Sequence, residues 1–267
     1  MGEVRSSDLV IRLAKSKTEV IKAQELRYRV FYEGMGAAAS PSIKLLKRDF
    51  DAFDDYCDHL LVIDQAKSVG SEICVVGTYR LLRKSVAEQH QGYYSADEFD
   101  LRRLEGYSGE HVELGRSCVD PAYRGKAIMQ LLWRGIADYI MSHDISLMFG
   151  CASFPGTDLA QMASALSYLN QYHLAPSDWQ PRAQAERYVK MGLLDEDQVD
   201  MRQAMREMPA LIKGYLRVGG VIGDGAVIDA DFNTTDVCLL VETSNITGRY
   251  QRHFLEGSKE VDMRVSA

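Results

Sequence analysis

The sequence predicts an α/β (α+β) protein in which a mixed, mostly antiparallel central sheet is flanked by helices. In residues 111–119, apolar side chains alternate with polar ones, which is the period-two pattern of a half-buried strand. Beyond Pro121 the apolar residues recur every four positions, as in an amphipathic helix, and an apolar strand follows at residues 145–154. This succession predicts two parallel strands joined by a crossover helix. The apolar runs 59–63 and 73–82 predict an antiparallel hairpin.

A short strand and an amphipathic helix are expected before this hairpin. Residues 9–13 are apolar and predict the strand. Ser16 and Glu19 then form a capping box, a residue pair that begins a helix by binding its free N–H groups. The buried side of this helix is expected to hold Val20, Ala23, Leu26, Val30 and Phe31. A second capping box, Ser95 with Glu98, predicts a short helix after the hairpin. Its apolar residues are Phe99, Leu101 and Leu104.

The last third of the chain is predicted to be rich in helices. Residues 159–216 are polar on one side of their helices and predict a helical insert or lid. Basic residues in and next to it are Arg182, Arg187, Lys190, Arg202, Arg206, Lys213 and Arg217. The glycines that follow predict a turn region: Gly219, Gly220, Gly223 and Gly225. A final strand at 237–242 belongs to a C-terminal extension. Because no linker or repeat interrupts the chain, residues 1–267 are expected to form a single domain.

The composition limits the class of protein. The 31 basic and 38 acidic residues give a formal charge of −7, so we expect no nucleic-acid partner, and an acidic protein must bind a local basic patch. Five scattered cysteines, none in a C-x-x-C pair, favour reduced thiols and disfavour a disulfide or a zinc site. No apolar run reaches the roughly 18 residues of a membrane span. We therefore expect a cytoplasmic protein that is at most peripheral on the inner membrane face.

The start of the helix after strand 111–119 is expected to face a phosphate. Pro121 ends the strand, and Arg124, Gly125 and Lys126 lie in the first turn of the helix. The free main-chain N–H groups and the dipole of a helix N-terminus favour an anion at this position. The alternative is an ordinary solvated helix face, because basic residues are common on helix surfaces.

Four separated segments resemble a known family. Residues 26–36 read LRYRVFYEGMG, 49–62 read DFDAFDDYCDHLLV, 113–127 read ELGRSCVDPAYRGKA and 211–237 read LIKGYLRVGGVIGDGAVIDADFNTTDV. In this order they resemble the ornithine N-acyltransferase branch of the GNAT superfamily, over about residues 9 to 250. The resemblance implies a GNAT-like fold and transfer of a 3-hydroxyacyl group from acyl carrier protein to the α-amine of ornithine, which forms a lyso-ornithine lipid. A glutamine-acylating relative has a similar pattern, so glutamine or another free amino acid is the alternative acceptor.

A more distant likeness is to the acyl-homoserine lactone synthases. They share an LRYRVF-like helix, an acidic segment, an arginine like Arg80 and an E-x-x-R strand like Glu113 to Arg116. Their substrate needs an aromatic-rich adenosylmethionine pocket, which the helical insert and the C-terminal extension fit poorly. The non-enzyme alternative is an acyl-carrier-binding or lipid-binding protein, which would keep its function after Glu113→Gln.

The resemblance implies that Glu113 is the general base that takes a proton from the attacking amine. The alternative is a solvated carboxylate or a structural partner of Arg116, which would itself hold the substrate carboxylate, orient Glu113 or form a buried salt bridge. Strict alternation places these two side chains on opposite faces, so they meet only if the strand bulges, for which Gly115 is the expected site. Main-chain N–H groups near Val119 would stabilise the oxyanion. Cys118 is expected to point into the apolar side with Val112 and Leu114, so no acyl-enzyme is expected.

An acidic run precedes the strand at 59–63. Its spacing fits neither a calcium loop nor a zinc motif, so no metal is expected. The resemblance implies that Asp51 and His59 line the amine pocket, where Asp51 would contact the cationic side chain of ornithine. His59 would be a second proton acceptor or a hydrogen-bonded core residue. Arg29 and Arg80 are the remaining candidates for binding the substrate carboxylate, although exposed arginines are common.

The helix start departs from the R-x-x-G-x-G pattern of coenzyme A-binding GNAT enzymes, in which main-chain amides wrap a pyrophosphate. Arg124 is present, but Ala127 and Met129 stand where that pattern has glycines, and their side chains hinder close approach of the backbone. We therefore expect a donor held by its phosphopantetheine arm and one phosphate, namely acyl carrier protein, with no other cofactor. The expected donor-binding residues are Val119, Arg124, Gly125, Lys126 and Ala127, with the acidic carrier docking on the basic ones.

Overall fold

The computed structural model describes residues 2–6, 8–70 and 72–246, with the main chain alone at Lys126 and Ala127. Its strands are β1 (Val4–Ser6), β2 (Leu9–Leu13), β3 (Asp58–Val69), β4 (Glu72–Arg83), β5 (Phe99–Asp100), β6 (Glu110–Val119), β7 (Ile145–Pro155), β8 (Arg182–Ala183), β9 (Val221–Asp229) and β10 (Thr234–Glu242). Its α-helices are α1 (Lys17–Tyr28), α2 (Pro41–Leu46), α3 (Lys84–Ala87), α4 (Lys126–Ser142), α5 (Ala163–Tyr172), α6 (Met201–Glu207) and α7 (Ala210–Arg217). The end of the family resemblance, residues 247–250, lies outside the described residues.

The described strands form a ten-stranded sheet in the order β1-β2-β3-β4-β6-β7-β10-β9-β8-β5. Strands β3 and β4 form the predicted antiparallel hairpin. Strands β6 and β7 are parallel and are joined by α4, which is the predicted crossover. Since most other neighbours are antiparallel, the structure confirms a mixed, mostly antiparallel sheet flanked by helices.

Helices α1 and α4 cover opposite faces of the sheet. Ser16 begins α1, where its hydroxyl accepts a hydrogen bond from the Glu19 main-chain N–H. The core between α4 and the sheet includes Ile11, Leu60, Leu81, Val112, Ile128, Leu132, Ile136 and Met148. The smaller core under α1 includes Ala23, Leu26, Val30, Leu61, Ile63 and Val75. Each large side chain buried in these cores contributes about 1.5–3 kcal/mol, which fixes both helices on the sheet.

Gly219 lies in a turn after α7 and Gly220 follows it, as predicted, but Gly223 and Gly225 lie in strand β9, which pairs with β10. Its glycines permit close packing of the insert against the strand. Gly225 has a φ of +84°, and the Tyr188 ring leaves no room there for a Cβ atom. For Gly223 and Gly225 the turn prediction was wrong, because this packing with a distant segment outweighs the local turn preference of glycine.

The short helix predicted after Ser95 is also absent from the described structure. A 3-10 helix spans Tyr94–Asp97, strand β5 follows, and a second 3-10 helix spans Arg102–Gly106. The three apolar residues assigned to the helix, Phe99, Leu101 and Leu104, are buried nevertheless. The Ser95 main-chain N–H binds Glu113 on β6, so a contact with a distant strand replaces the expected capping box.

The predicted insert contains three helices separated by an irregular segment. Helices α5, α6 and α7 confirm its helical ends, whereas residues 173–200 form turns, a 3-10 turn and strand β8. The insert contributes Leu166, Leu169, Met208, Ile212 and Tyr215 to the same core as α4. In the part of the chain that the structure describes, no helix combines the length and the apolar character needed to cross a bilayer.

Candidate active site

The parallel strands β6 and β7 separate in the middle of the sheet. Their pairing runs from Glu110 opposite Ile145 to Glu113 opposite Phe149, although both strands continue for several more residues. Directly beyond the last pair, Gly150 lies so close to the Leu114 carbonyl that a Cβ atom would collide with it. The gap between the separated strands opens into a cavity of about 700 Å³.

This cavity connects the two faces of the sheet through the gap. On the α4 face it is lined by Ile128, Met129 and Trp133 of α4 and by Leu211 and Gly214 of α7. On the opposite face it is lined by Tyr94, Glu98, Glu113, Asp229, Phe232 and Asp236. One end is therefore mostly apolar, and the other carries several carboxylates.

Glu113 lies in the lining of this cavity at the point where the strands separate. It is 4% exposed, and its two carboxylate oxygens accept hydrogen bonds from the Tyr94 N–H at 2.9 Å and the Ser95 N–H at 2.6 Å. Burial raises the pKa of Glu113, and the hydrogen bonds from Ser95 and Tyr94 oppose that effect without cancelling it. A carboxylate held in one orientation with a raised pKa is suited to accept a proton near neutral pH.

A β-bulge brings Arg116 to the same cavity. In the pairing with β4, Thr78 is opposite Cys118 and Arg80 is opposite Gly115, so β6 has one residue more than β4 in this interval. Arg116 has a φ of +48° and occupies the bulge. Glu113 and Arg116 could share one cavity only if β6 had a bulge, and the structure confirms this bulge. The left-handed residue is Arg116, one position after the expected Gly115.

The bulge also corrects the predicted orientation of Cys118. Val112 and Leu114 pack in the core under α4, but Cys118 packs in the core under α1, with Leu26 and Leu61. The extra residue reverses the alternation of side chains beyond it. Burial raises the pKa of the Cys118 thiol to about 12, so this cysteine is protonated near neutral pH and is a poor nucleophile.

The Arg116 guanidinium is held between aromatic rings and carboxylates. It lies 4.6 Å from the centre of the Tyr94 ring and 4.9 Å from that of Phe232. Its Nε is 3.3 Å from a carboxylate oxygen of Asp49, and one terminal nitrogen is 3.5 Å from Asp51. Arg116 therefore lines the cavity as part of a salt-bridge network, which was one of the interpretations left open by the sequence.

The predicted substrate ligands Arg80 and Asp51 bind each other in this network. Arg80 is buried, with one nitrogen 2.6 Å from Asp51 and 3.2 Å from Asp54. Arg27, which is fully buried, bridges Asp49 and Asp54. Neither Arg80 nor Asp51 is in the lining of the 700 Å³ cavity. The structure places this pair behind Arg116, where it fixes the position of the guanidinium.

His59 and Arg29 lie apart from the cavity lining. The His59 ring is buried with its Nε2 3.1 Å from the Asp54 carbonyl, and burial lowers its pKa, so the ring is neutral near pH 7. This placement matches the alternative of a hydrogen-bonded core residue. The Arg29 side chain is 48% exposed on the α1 side, 3.8 Å from the Asp120 carboxylate that follows β6.

The expected donor-binding segment forms the rim of the cavity beside α4. Helix α4 begins at Lys126 after Gly125, which has an extended conformation, and no side chain caps its N-terminus. Val119, Arg124 and Gly125 line the cavity, and Arg124 is exposed. The side chains of Lys126 and Ala127 lie outside the described residues.

Similarity to known proteins identifies the family. Residues 26–134 match the model of an acetyltransferase (GNAT) domain. The L-ornithine N(alpha)-acyltransferase of Brucella abortus (strain 2308) is 46% identical over 252 residues, covering 94% of this chain and 90% of that protein. The protein of the same name from Agrobacterium fabrum (strain C58) is also 46% identical, covering 94% of this chain and 86% of its own. The chain belongs to the L-ornithine N(α)-acyltransferase family.

The resemblance expected from the sequence is thus confirmed, and this member of the L-ornithine N(α)-acyltransferase family is an acyltransferase with a GNAT-like fold. Acyl-homoserine lactone synthases are among its structural neighbours. The CoA-dependent synthase BjaI has a TM-score of 0.47 at 13% identity, covering 88% of this chain and 82% of its own.

The sequence did not single out several residues of the acyltransferase cavity. Tyr94 and Ser95 supply main-chain donors to Glu113, and no pattern in the sequence marks a main-chain N–H as a ligand. Glu98 was assigned to a capping box. Asp236 offered a weak signal, because it is a charged residue directly before the apolar run 237–241 of the predicted final strand.

Proposed function

We propose that this acyltransferase moves a 3-hydroxyacyl group from acyl carrier protein to the α-amine of ornithine by direct attack. The observation that supports it most strongly is the position of Glu113. This buried carboxylate has a raised pKa and faces the gap between β6 and β7, which joins the apolar and the acidic ends of one cavity. An ammonium group must lose a proton before its nitrogen can attack a thioester, and a carboxylate beside the gap can accept that proton.

The reaction requires one proton acceptor on the enzyme and no covalent acyl-enzyme. Glu113 takes one proton from the α-ammonium group, and the free amine attacks the thioester carbon to form the C–N bond of a tetrahedral intermediate. The C–S bond then breaks, and the leaving phosphopantetheine thiolate takes up the second proton, which the new amide nitrogen releases. Main-chain N–H groups of β6 near Val119, beyond the end of the β6–β7 pairing, are available to stabilise the oxyanion.

The start of α4 supports a carrier-protein donor. Its uncapped N-terminus at Gly125 offers main-chain N–H groups to one phosphate, and the exposed Arg124 lies beside it. Met129 lines the cavity where a coenzyme A-binding GNAT enzyme has its last glycine, which hinders the wrapping of a pyrophosphate. A carrier protein brings its own phosphopantetheine arm, so no further cofactor is proposed.

Ornithine is the preferred acceptor for two reasons. The relatives that are 41–46% identical are named L-ornithine N(alpha)-acyltransferases. The end of the cavity beyond Glu113 is acidic, which suits a cationic side chain better than the neutral amide of glutamine. Because the product carries an acyl chain, we further propose a cytoplasmic enzyme that contacts the inner membrane face peripherally.

Product analysis tests the proposal. The purified protein would be incubated with 3-hydroxyacyl carrier protein, or with the same acyl group on coenzyme A, and with ornithine, lysine, glutamine or homoserine. Mass spectrometry is expected to detect N-acylornithine, formed faster from the carrier-bound donor. Acylation of glutamine alone would favour the alternative acceptor, and the absence of any N-acyl amino acid would refute the proposed function.

A further inference from the structure

Three carboxylates meet at the acidic end of the cavity. Glu98 follows a 3-10 helix, Asp229 ends β9 and Asp236 lies on β10. One carboxylate oxygen of each lies within 4.8 Å of one from both others, and all three residues line the cavity. Since residues from three separate elements converge on one point, the fold itself builds this cluster.

The cluster has little compensating positive charge. Asp236 is 5% exposed, and its Oδ1 accepts no hydrogen bond of good geometry within the described structure, although the Ser153 and Thr234 hydroxyls are near enough to lower its pKa. In the same residues, no lysine or arginine nitrogen lies within 4.0 Å of the Asp229 or Asp236 carboxylates, while Glu98 has Arg187 at 3.7 Å. Burial, followed by the charge of Asp236, raises the pKa of Glu98, and burial raises that of Asp236, while Arg187 opposes both shifts without cancelling them. Glu98 and Asp236 are buried, and Asp229 is half-buried and accepts hydrogen bonds from the Asp231 and Phe232 main-chain N–H groups. A cation that enters from the cavity would stabilise carboxylates in this arrangement.

A short chain of contacts joins the cluster to Glu113. The Cys151 sulfur lies 3.2 Å from Oε2 of Glu98 and 3.3 Å from Oγ of Ser95, so its thiol can donate to either. The Ser95 main-chain N–H donates in turn to Glu113. The expected base and the acidic cluster are therefore neighbours on one face of the sheet. A ligand with two amino groups separated by a few methylenes could contact both.

We propose that Glu98, Asp229 and Asp236 bind the side-chain ammonium group of the acceptor and thereby select a basic diamino acid. This inference rests on the proposed function, because it requires the α-amine of the same molecule to face Glu113. An ammonium group has three N–H donors, one for each carboxylate of the cluster. The unpartnered Oδ1 of Asp236 is then an acceptor for one of these donors. The cluster replaces Asp51, which the sequence had suggested for this role and which is already bound to Arg80.

Direct binding measurements test the inference without turnover. Calorimetry would compare L-ornithine with L-norvaline, which has the same carbon chain but lacks the side-chain amine. Asp236→Asn and Glu98→Gln are each expected to weaken ornithine binding about 30-fold or more, since removing one partner of a buried charge pair has a large effect. Norvaline binding should stay within about twofold, because it makes no such pair. The exposed Asp231→Asn, two residues from Asp229, is the matched control and should bind ornithine like the wild type.

The outcomes separate this inference from the proposed function. Thermal unfolding of both variants would establish that each is folded, and the two substitutions act on different elements. Unchanged ornithine affinity in both folded variants would overturn the inference. So would Mg²⁺ or Mn²⁺ binding that is lost in Asp236→Asn and not displaced by ornithine, because the cluster would then be a metal site. Selective ornithine binding by a wild type that acylates no amino acid would support the binding site and refute the proposed reaction.

Discussion

Glu113 combines burial with main-chain hydrogen bonds at the opening between two strands. Its environment was not predictable from the E-x-x-R spacing, because both donors come from a 3-10 helix that precedes β6 by some fifteen residues. The residue itself was suggested by the family resemblance, because the strand pattern alone is equally consistent with a solvated carboxylate. The sequence therefore identified the candidate base, and only the tertiary structure explains its raised pKa.

The raised pKa of Glu113 predicts the pH dependence of turnover. Only the deprotonated carboxylate can accept the amine proton, so kcat should increase as pH rises through this pKa. Because burial raises that pKa, the increase should occur above the pH at which an exposed glutamate titrates. Steady-state rates with ornithine between pH 5 and 8 would measure it. The exposed Glu105→Gln should keep the wild-type profile, and a flat wild-type profile would count against Glu113 as the base.

At the scale of elements, the bulge in β6 decides which side chains reach the cavity. Local alternation predicted the strands, and the demand that Glu113 and Arg116 share one cavity predicted a bulge. The left-handed residue was expected at Gly115 because glycine adopts that conformation most easily, but Arg116 adopts it. Its salt bridges and ring contacts stabilise the conformation, and such contacts are not visible in a local pattern.

Elements that depend on distant partners were the ones predicted wrongly. The glycines of β9 resembled a turn, but pairing with β10 and packing against Tyr188 make them a strand. Ser95 and Glu98 resembled a helix cap, but they interact with Glu113 and with the acidic cluster. The acidic cluster itself unites residues of three elements, so no local spacing could reveal it.

Gly150 offers a test of the point where β6 and β7 separate. A methyl group there would collide with the Leu114 main-chain oxygen, which cannot move without disturbing β6. Gly150→Ala should therefore destabilise the protein by about 1–3 kcal/mol. Urea unfolding would measure the change, with Gly106→Ala as the control because no atom lies within 4 Å of its Cβ position. Equal stability of the two variants would show that this close approach is unimportant.

At the scale of the whole molecule, a buried salt-bridge network connects α1, the acidic segment before β3, β4 and β6. Arg27, Arg80 and Arg116 pair in it with Asp49, Asp51 and Asp54. The acidic run was visible in the sequence, but Asp51 and Arg80 were predicted to bind the substrate. Their salt bridge to each other joins segments that are distant in sequence, so no local pattern could reveal it. The network fixes the Arg116 side of the cavity to the rest of the fold.

This network predicts a loss of stability in acid. Burial alone would raise the pKa of Asp54, but Arg27 and Arg80 outweigh burial and lower it to about 2. A pKa that is lower in the folded state stabilises the fold above the ordinary value of 3.8, and this stabilisation is lost as pH falls towards 2. Asp54→Asn should lower the free energy of unfolding by about 3–5 kcal/mol at pH 7. Near pH 2 the difference in this free energy between the variant and the wild type should be smaller by about 2 kcal/mol.

Urea unfolding at pH 7 and near pH 2 would measure this effect. Asp55→Asn, an exposed neighbour on the same 3-10 helix, is the matched control and should unfold like the wild type at both pH values. An Asp54→Asn protein with the same dependence on pH as the wild type would show that the network does not control acid stability.

The most direct test of acyl transfer within this cavity is the turnover of Glu113→Gln. With 3-hydroxyacyl carrier protein and ornithine, mass-spectrometric rates should show kcat reduced by on the order of 100-fold or more, with the protein folded and the KM for ornithine close to the wild-type value. Glu105→Gln, which changes an exposed glutamate in the same way, should retain the wild-type rate. If the folded Glu113→Gln protein acylates ornithine within about threefold of the wild-type rate, Glu113 is not the base, since loss of a general base typically costs at least 100-fold.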